Sequence, residues 1–109
     1  MISESDVEKA VDYLRDAAGP DSQARANALY LQEWVKTERA RLTVAQAGMS
    51  NAAARDVAEC HPEYLRALGV YRAAVEEDYR RRFLLEAATA RLEAWRTAES
   101  TRRSLGTLA

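Results

Sequence analysis

The chain has 109 residues, which is enough for one domain and too few for two domains of ordinary size. Hydrophobic residues make up 48% of it and charged residues 30%, a composition that excludes a disordered chain and predicts a packed core. Four glycines and two prolines are too few for collagen-like, linker-like or turn-rich β proteins. The single cysteine, Cys60, excludes an intramolecular disulfide and leaves few ligands for a metal.

Targeting signals are not evident in the sequence. No run approaches 18 apolar residues, so we expect no membrane span. The acidic start, Met1 to Asp6, lacks the basic and apolar regions of a secretory signal. We therefore expect a cytoplasmic protein that does not bind membranes.

The composition predicts an all-α protein. Alanine occupies 22 positions, and leucine, arginine and glutamate fill many others, all of them strong helix formers. We expect one helical domain, residues 1–109, with helices over about 5–18, 22–47, 51–60 and 62–103. The architecture expected is an elongated helical hairpin or bundle with coiled-coil-like packing and one long C-terminal helix.

The first predicted helix begins with Ser5 and Glu8, whose spacing matches a capping box. It ends at Gly19-Pro20, because glycine suits the position after a helix and proline cannot continue one. The second predicted helix carries apolar residues spaced four and three apart, which is typical of a coiled-coil seam. Glu38 interrupts this seam. We expect an arginine of the last helix (Arg72, Arg82 or Arg91) to pair with it, or Glu38 to be exposed.

The short third helix is predicted to be capped by Ser50, after a break at Gly48. The fourth begins at Pro62, after His61, and runs to about Arg103, with Gly106 as a further stop. Its glycine, Gly69, is interpreted as a small residue at a close helix crossing. Forty residues make a rod of roughly 60 Å, whose apolar stripe a chain of this length cannot bury. We therefore expect a homodimer or higher oligomer.

Charge is distributed unevenly. Residues 1–22 hold six acids and two bases, and residues 79–109 hold seven arginines and three acids. The basic end is interpreted as packing against the acidic helix, or as a binding patch for an acidic protein or for nucleic acid. Within the run of acids and arginines at 76–82, pairs four residues apart are expected to mute that patch. The candidate binding residues are Arg80, Arg81, Arg82, Arg96, Arg102 and Arg103.

A second candidate surface is aromatic and comprises Tyr30, Trp34, Tyr71 and Tyr79. Tryptophans at such spacing are typical core or interface anchors. Cys60 and His61 are adjacent, so their side chains do not converge on a substrate, and no glycine-rich phosphate loop is present. We therefore expect a protein that is not an enzyme, with no cofactor, no metal and no small-molecule substrate.

Three stretches carry a resemblance to a known class of proteins. They are Tyr30-Leu31-Gln32-Glu33-Trp34-Val35-Lys36 with Ala40-Arg41-Leu42, His61-Pro62-Glu63-Tyr64, and Leu84-Leu85-Glu86-Ala87-Ala88 with Arg91-Leu92-Glu93-Ala94-Trp95-Arg96-Thr97. Together they resemble small helical proteins of tailed phages and prophages that are encoded in recombination and replication modules. The resemblance covers residues 29–103 and implies a location in the host-cell cytoplasm.

Three functions remain open at this stage. The first is a non-catalytic helical homodimer that binds a protein of recombination, replication or host defence, as an adaptor or an inhibitor. The second is a nucleic-acid accessory factor that uses the arginines of the last helix, although the pI of 5.9 is low for a dedicated DNA binder. The third is a structural or assembly component of a virion.

Overall fold

The computed structural model describes residues 2–108, with side chains described for 2–106. It contains three helices, α1 (Glu4–Val44), α2 (Asn51–Glu59) and α3 (Pro62–Leu108), and no strand among the described residues. The all-α prediction is therefore confirmed, as is a long C-terminal helix. Four helices were expected where the structure has three.

The break predicted at Gly19-Pro20 is wrong, because α1 continues through both residues. Pro20 removes one backbone donor from the helix, but the residues around it are exposed, so water can bond the carbonyl that loses its partner. Ser22 donates its hydroxyl to the Ala18 carbonyl at 2.8 Å, which adds a side-chain bond to the same stretch of helix. Asp21, which directly follows Pro20, forms an ion pair with Arg81 of α3 at 3.3 Å. Tertiary contacts here override the local preference to end the helix.

The capping box lies two residues earlier than predicted. The Ser3 backbone N–H donates to the Asp6 carboxylate at 3.1 Å, and the Asp6 N–H donates to Ser3 Oγ at 3.2 Å. Both Ser3-x-x-Asp6 and Ser5-x-x-Glu8 fit the motif, and the helix begins at the first of them. The bond from the Ser3 N–H to the carboxylate is the main cause of the lowered pKa of Asp6, and the Ser3 side chain lowers this pKa as well.

The connection from α1 to α3 agrees closely with its predicted form. Gly48 has a φ of 83° in the loop after α1, where a side chain would be strained. Ser50 accepts from the Ala53 N–H at 3.2 Å and caps α2, as predicted. His61 Nδ1 accepts from the Glu63 N–H at 3.1 Å, so this histidine caps α3.

Two glycine predictions for α3 are wrong. Gly106 does not stop the helix, which extends to Leu108. Gly69 does not mark a close crossing, because a Cβ built on it would have no atom within 4 Å. Single glycines are tolerated inside long helices, so neither residue requires a change of direction.

The chain divides into two compact units, which are described separately. Unit 2 comprises Gln23–Tyr79 and contains the second half of α1, all of α2 and the first part of α3. Arg25 pairs with Asp78 and Arg41 with Glu63, so α1 and α3 are antiparallel in this unit. The buried apolar residues of unit 2 lie on all three helices: Ala28, Val35, Leu42, Ala54, Ala58, Ala67 and Ala74.

Unit 1 comprises the chain up to Ser22 and the chain from Arg80 onward. It consists of two helical segments, the first part of α1 and the last part of α3. Among its described residues the buried apolar side chains are three alanines, Ala10, Ala17 and Ala88. Two helices bury one stripe each and leave their other faces in solvent.

Candidate interaction surfaces

An ion-pair cluster in unit 2 joins the end of α1 to the start of α3. Arg41 donates to Glu38 at 2.9 Å and also to Glu63. The prediction that Glu38 pairs with Arg72, Arg82 or Arg91 of the last helix, or else is exposed, is therefore wrong: Glu38 is half-buried and pairs with Arg41 of its own helix. A local arginine three residues away reaches the carboxylate at lower entropic cost than a distant one. The hydrogen bond from Arg41 lowers the pKa of Glu63.

Asp78 is the buried charged residue of unit 2, with 8% of its surface exposed. Arg25 approaches its carboxylate to 3.5 Å from α1. A buried carboxylate requires such partners, because removing it from water is costly. Asp78 therefore fixes the register of the two helices and is not available to a ligand.

The four aromatic candidates all lie in unit 2. By the register of the two ion pairs, Tyr30 and Trp34 lie level with the turn of α3 that contains Tyr71. Tyr79 lies eight residues further along α3, about 12 Å away. Tyr30 is 68% exposed and Tyr79 53% exposed, whereas Trp34 and Tyr71 are half-buried. Three of the four candidates therefore share one level of unit 2.

The six arginine candidates lie in unit 1 and do not form one patch. Arg81 is half-buried and pairs with Asp21, and Arg102 pairs with Glu99 one turn before it. Arg80, Arg82 and Arg103 also have partners. Fourteen residues separate Arg82 from Arg96, which is about 21 Å along a helix. Much of the positive charge is therefore engaged within the chain.

Two shallow grooves lie along the helix pair of unit 1. One, of about 190 Å³, is lined by Lys9, Ala10 and Tyr13 of α1 and by Leu84, Ala87, Ala88 and Arg91 of α3. The other, of about 620 Å³, is lined by Ile2 and by Ala94, Trp95, Ala98, Glu99, Thr101, Arg102 and Leu105. The α3 residues recur mostly at spacings of three and four, so both grooves open on one face of α3.

The apolar stripe predicted for the last helix included Phe83, Ala87, Ala94 and Ala98, but it left out Leu84 and Leu105. Phe83 is 67% exposed and Leu105 63% exposed, and Leu84 is also exposed. The seven-residue spacing of Leu84, Arg91, Ala98 and Leu105 was the signal available. The helix predicted over 5–18 already contained the α1 residues of the first groove, and its packing against the basic end was one of the two interpretations left open.

The described residues contain no group of three or more histidine, cysteine or acidic side chains able to hold a metal ion. Cys60 is a free, exposed thiol. No helix in residues 2–108 is both long and apolar enough to cross a membrane.

Comparison with known proteins gives no match. No family model matches the chain, and no curated protein and no solved structure is similar to it.

Proposed function

We propose that this chain is a non-catalytic helical interaction protein of phage or prophage origin. It acts as a homodimer in the host-cell cytoplasm and binds a protein of recombination, replication or host defence, as an adaptor or an inhibitor. The phage assignment is supported by the sequence resemblance over residues 29–103. The binding role is supported by one observation above all, the exposed aromatic and aliphatic side chains on the helices of unit 2.

Tyr30 and its neighbour Leu29 carry the partner-binding surface. Both project from the middle of α1, with 68% and 50% of their surface exposed. Large apolar residues held on a rigid helix lose little conformational entropy on binding, and tyrosine is enriched at interface hot spots. Glu33, three residues after Tyr30 and four after Leu29, is exposed and forms a polar rim beside this surface.

The test is affinity capture from host lysate with tagged protein, in the presence of nuclease. We expect Tyr30→Ala to weaken retention of the captured protein about tenfold or more, the effect of losing a hot spot. The matched control, Gln32→Ala, changes an exposed polar residue of the same helix and should retain the protein normally.

Two outcomes would contradict this function. If nuclease abolishes capture and retention falls steeply with salt, the chain binds nucleic acid through its arginines instead of binding a protein. If Tyr30→Ala, Leu29→Ala and Tyr79→Ala all bind like the original chain, the aromatic surface of unit 2 is not the binding site.

A further inference from the structure

The two helical segments of unit 1 leave an apolar face uncovered. Their buried apolar side chains, among the described residues, are alanines, whereas Leu84 and Leu105, which line the two grooves, are exposed on α3. Tyr13 and Trp95 line the two grooves of this face and are half-buried. Two packed helices cannot enclose side chains of this size, but four helices can, because each then contacts two neighbours around a common core.

The charges of unit 1 identify what covers this face. The α1 segment up to Ser22 has a net charge of −4, and the α3 segment from Arg80 onward has a net charge of +4. The two segments are antiparallel and side by side, so an acidic helix lies next to a basic helix. Arg91 and Arg102 of the basic helix line the grooves, and Lys9 is the one charged residue of α1 that does so. A surface with this layout is complementary to itself. Most other partners would match only one of its two halves.

We propose that the grooved face of unit 1 docks on the same face of a second copy, forming an antiparallel four-helix bundle with a two-fold axis parallel to the helices. This inference rests on the dimer named in the proposed function and supplies its surface and symmetry. A two-fold interface uses the same patch on both chains.

Charge favours a two-fold axis parallel to the helices over one perpendicular to them. With the axis parallel to the helices, the acidic α1 segment of each copy lies opposite the basic α3 segment of the other. With the axis perpendicular to the helices, α1 faces α1 and α3 faces α3, which places like charges together. Opposite charges across an interface also speed association and fix its register.

The first experiment measures mass by light scattering. At micromolar concentration the chain should have twice its single-chain mass of 12.2 kDa. The double variant Ala87→Glu/Ala94→Glu places charges on the docking face and should reduce the mass to that of one chain. Helicity should be retained, because both alanines are exposed. The control Thr89→Glu/Ser100→Glu changes two exposed residues that line neither groove and should remain a dimer.

The second experiment tests the axis by cross-linking in a Cys60→Ser background. One preparation carries Lys9→Cys on α1 and the other carries Ala87→Cys on α3, residues that line the same groove. Oxidation of the mixture should give a disulfide between the two different chains. Preferential disulfides between two Lys9→Cys chains would overturn the proposed axis.

A wild-type mass of one chain, or a dimer unaffected by Ala87→Glu/Ala94→Glu, would overturn the docking face. If that variant loses its helicity, the cross-linking result decides. These readouts concern unit 1, whereas the partner-capture test concerns Tyr30 in unit 2. A chain that captures its partner normally but does not dimerise would therefore contradict only the docking face. A chain that dimerises but captures no partner would contradict only the partner-binding function.

Discussion

Ser3 and Asp6 exchange hydrogen bonds at the start of α1, and their effect on stability depends on pH. The folded-state pKa of Asp6 lies below its ordinary value of 3.8, so its carboxylate stabilises the fold above that value. This contribution is lost as pH falls through the lowered pKa. We expect Asp6→Asn to unfold more easily than the original chain at pH 7 but to lose less stability on acidification. Thermal melts at several pH values measure both effects, and Glu8→Gln is the control.

The hydroxyl of Ser3 can be tested alone. Replacing it with a methyl group in Ser3→Ala removes the acceptor for the Asp6 N–H, and N-cap replacements of this type cost about 1 kcal/mol. Ser5→Ala should change the free energy of unfolding much less, because Ser5 lies inside the helix. Chemical denaturation measures both losses. A larger loss of stability in Ser5→Ala than in Ser3→Ala would mean that the capping box lies at Ser5 and Glu8, as predicted from the sequence.

Arg41 holds Glu38 and Glu63 together, and its removal should be visible in a titration. The pKa of Glu63 is lowered chiefly by the hydrogen bond from Arg41. In Arg41→Gln this pKa should rise toward its ordinary value, as measured by NMR on the Glu63 side chain. Arg55→Gln removes an exposed pair with Glu59 and should leave Glu63 unchanged. An unchanged pKa in Arg41→Gln would mean that another group stabilises the carboxylate.

Gly69 and Gly48 should respond in opposite directions to alanine. Gly69 lies inside α3 with open space around its Cα, so Gly69→Ala should stabilise the fold by about 0.5–1 kcal/mol. Gly48 has a φ of 83°, where alanine is strained, so Gly48→Ala should destabilise it. Denaturant midpoints compare the two variants. Loss of stability in Gly69→Ala would indicate a close helix contact after all.

At the scale of the elements, Pro20 is the main local defect of α1. Proline in a helix interior is about 3 kcal/mol less favourable than alanine, so Pro20→Ala should stabilise the fold by up to about that amount. Circular dichroism should show helicity that is equal or higher. A decrease in stability would mean that the proline sets a bend that the packing of α1 requires.

The helices show where sequence reasoning succeeds. Ser50 before an alanine-rich run and Pro62 after His61 gave the boundaries of α2 and the start of α3 within one residue, because both are local signals. Gly19-Pro20 and Gly106 carry equally strong local signals and are not ends of helices. Around Pro20, contacts with residues some sixty positions away, such as Arg81 with Asp21, stabilise a conformation that the local sequence disfavours.

At the scale of the whole molecule, we expect the arginines at the end of α3 to be dispensable for folding. Arg96, Arg102 and Arg103 are exposed, and the pair of Arg102 with Glu99 is within one turn. Replacing all three with glutamine should leave helicity and melting temperature nearly unchanged, because exposed pairs contribute little. If the chain binds nucleic acid, the triple variant should bind less tightly and with a smaller salt slope. A collapse of helicity would show that these charges support the fold.

The candidate surfaces were only partly predictable. The exposure of Tyr30 and Tyr79 follows from no single pattern, since both tyrosines are spaced like core residues. The partners of Arg81 and Asp78 depend on the register of α1 against α3. A break at Pro20 would divide α1 into two helices, so the prediction could not define one register for both. Once α1 is continuous, the pairing of an acidic segment with a basic one follows from charge alone.

The pairing of the chain's first segment with its last has a consequence for the order of folding. Contacts in unit 2 close around the short connections that flank α2, whereas unit 1 brings together residues from opposite ends of the chain, such as Ile2 and Trp95. Closing a longer loop costs more chain entropy, so unit 2 should form first and unit 1 should open first. Amide hydrogen exchange should therefore be slowest around Val35 and Ala67 and faster around Ala10 and Ala88. If the proposed dimer forms through unit 1, exchange there should also slow as protein concentration rises, because the second copy would protect only that part of the chain.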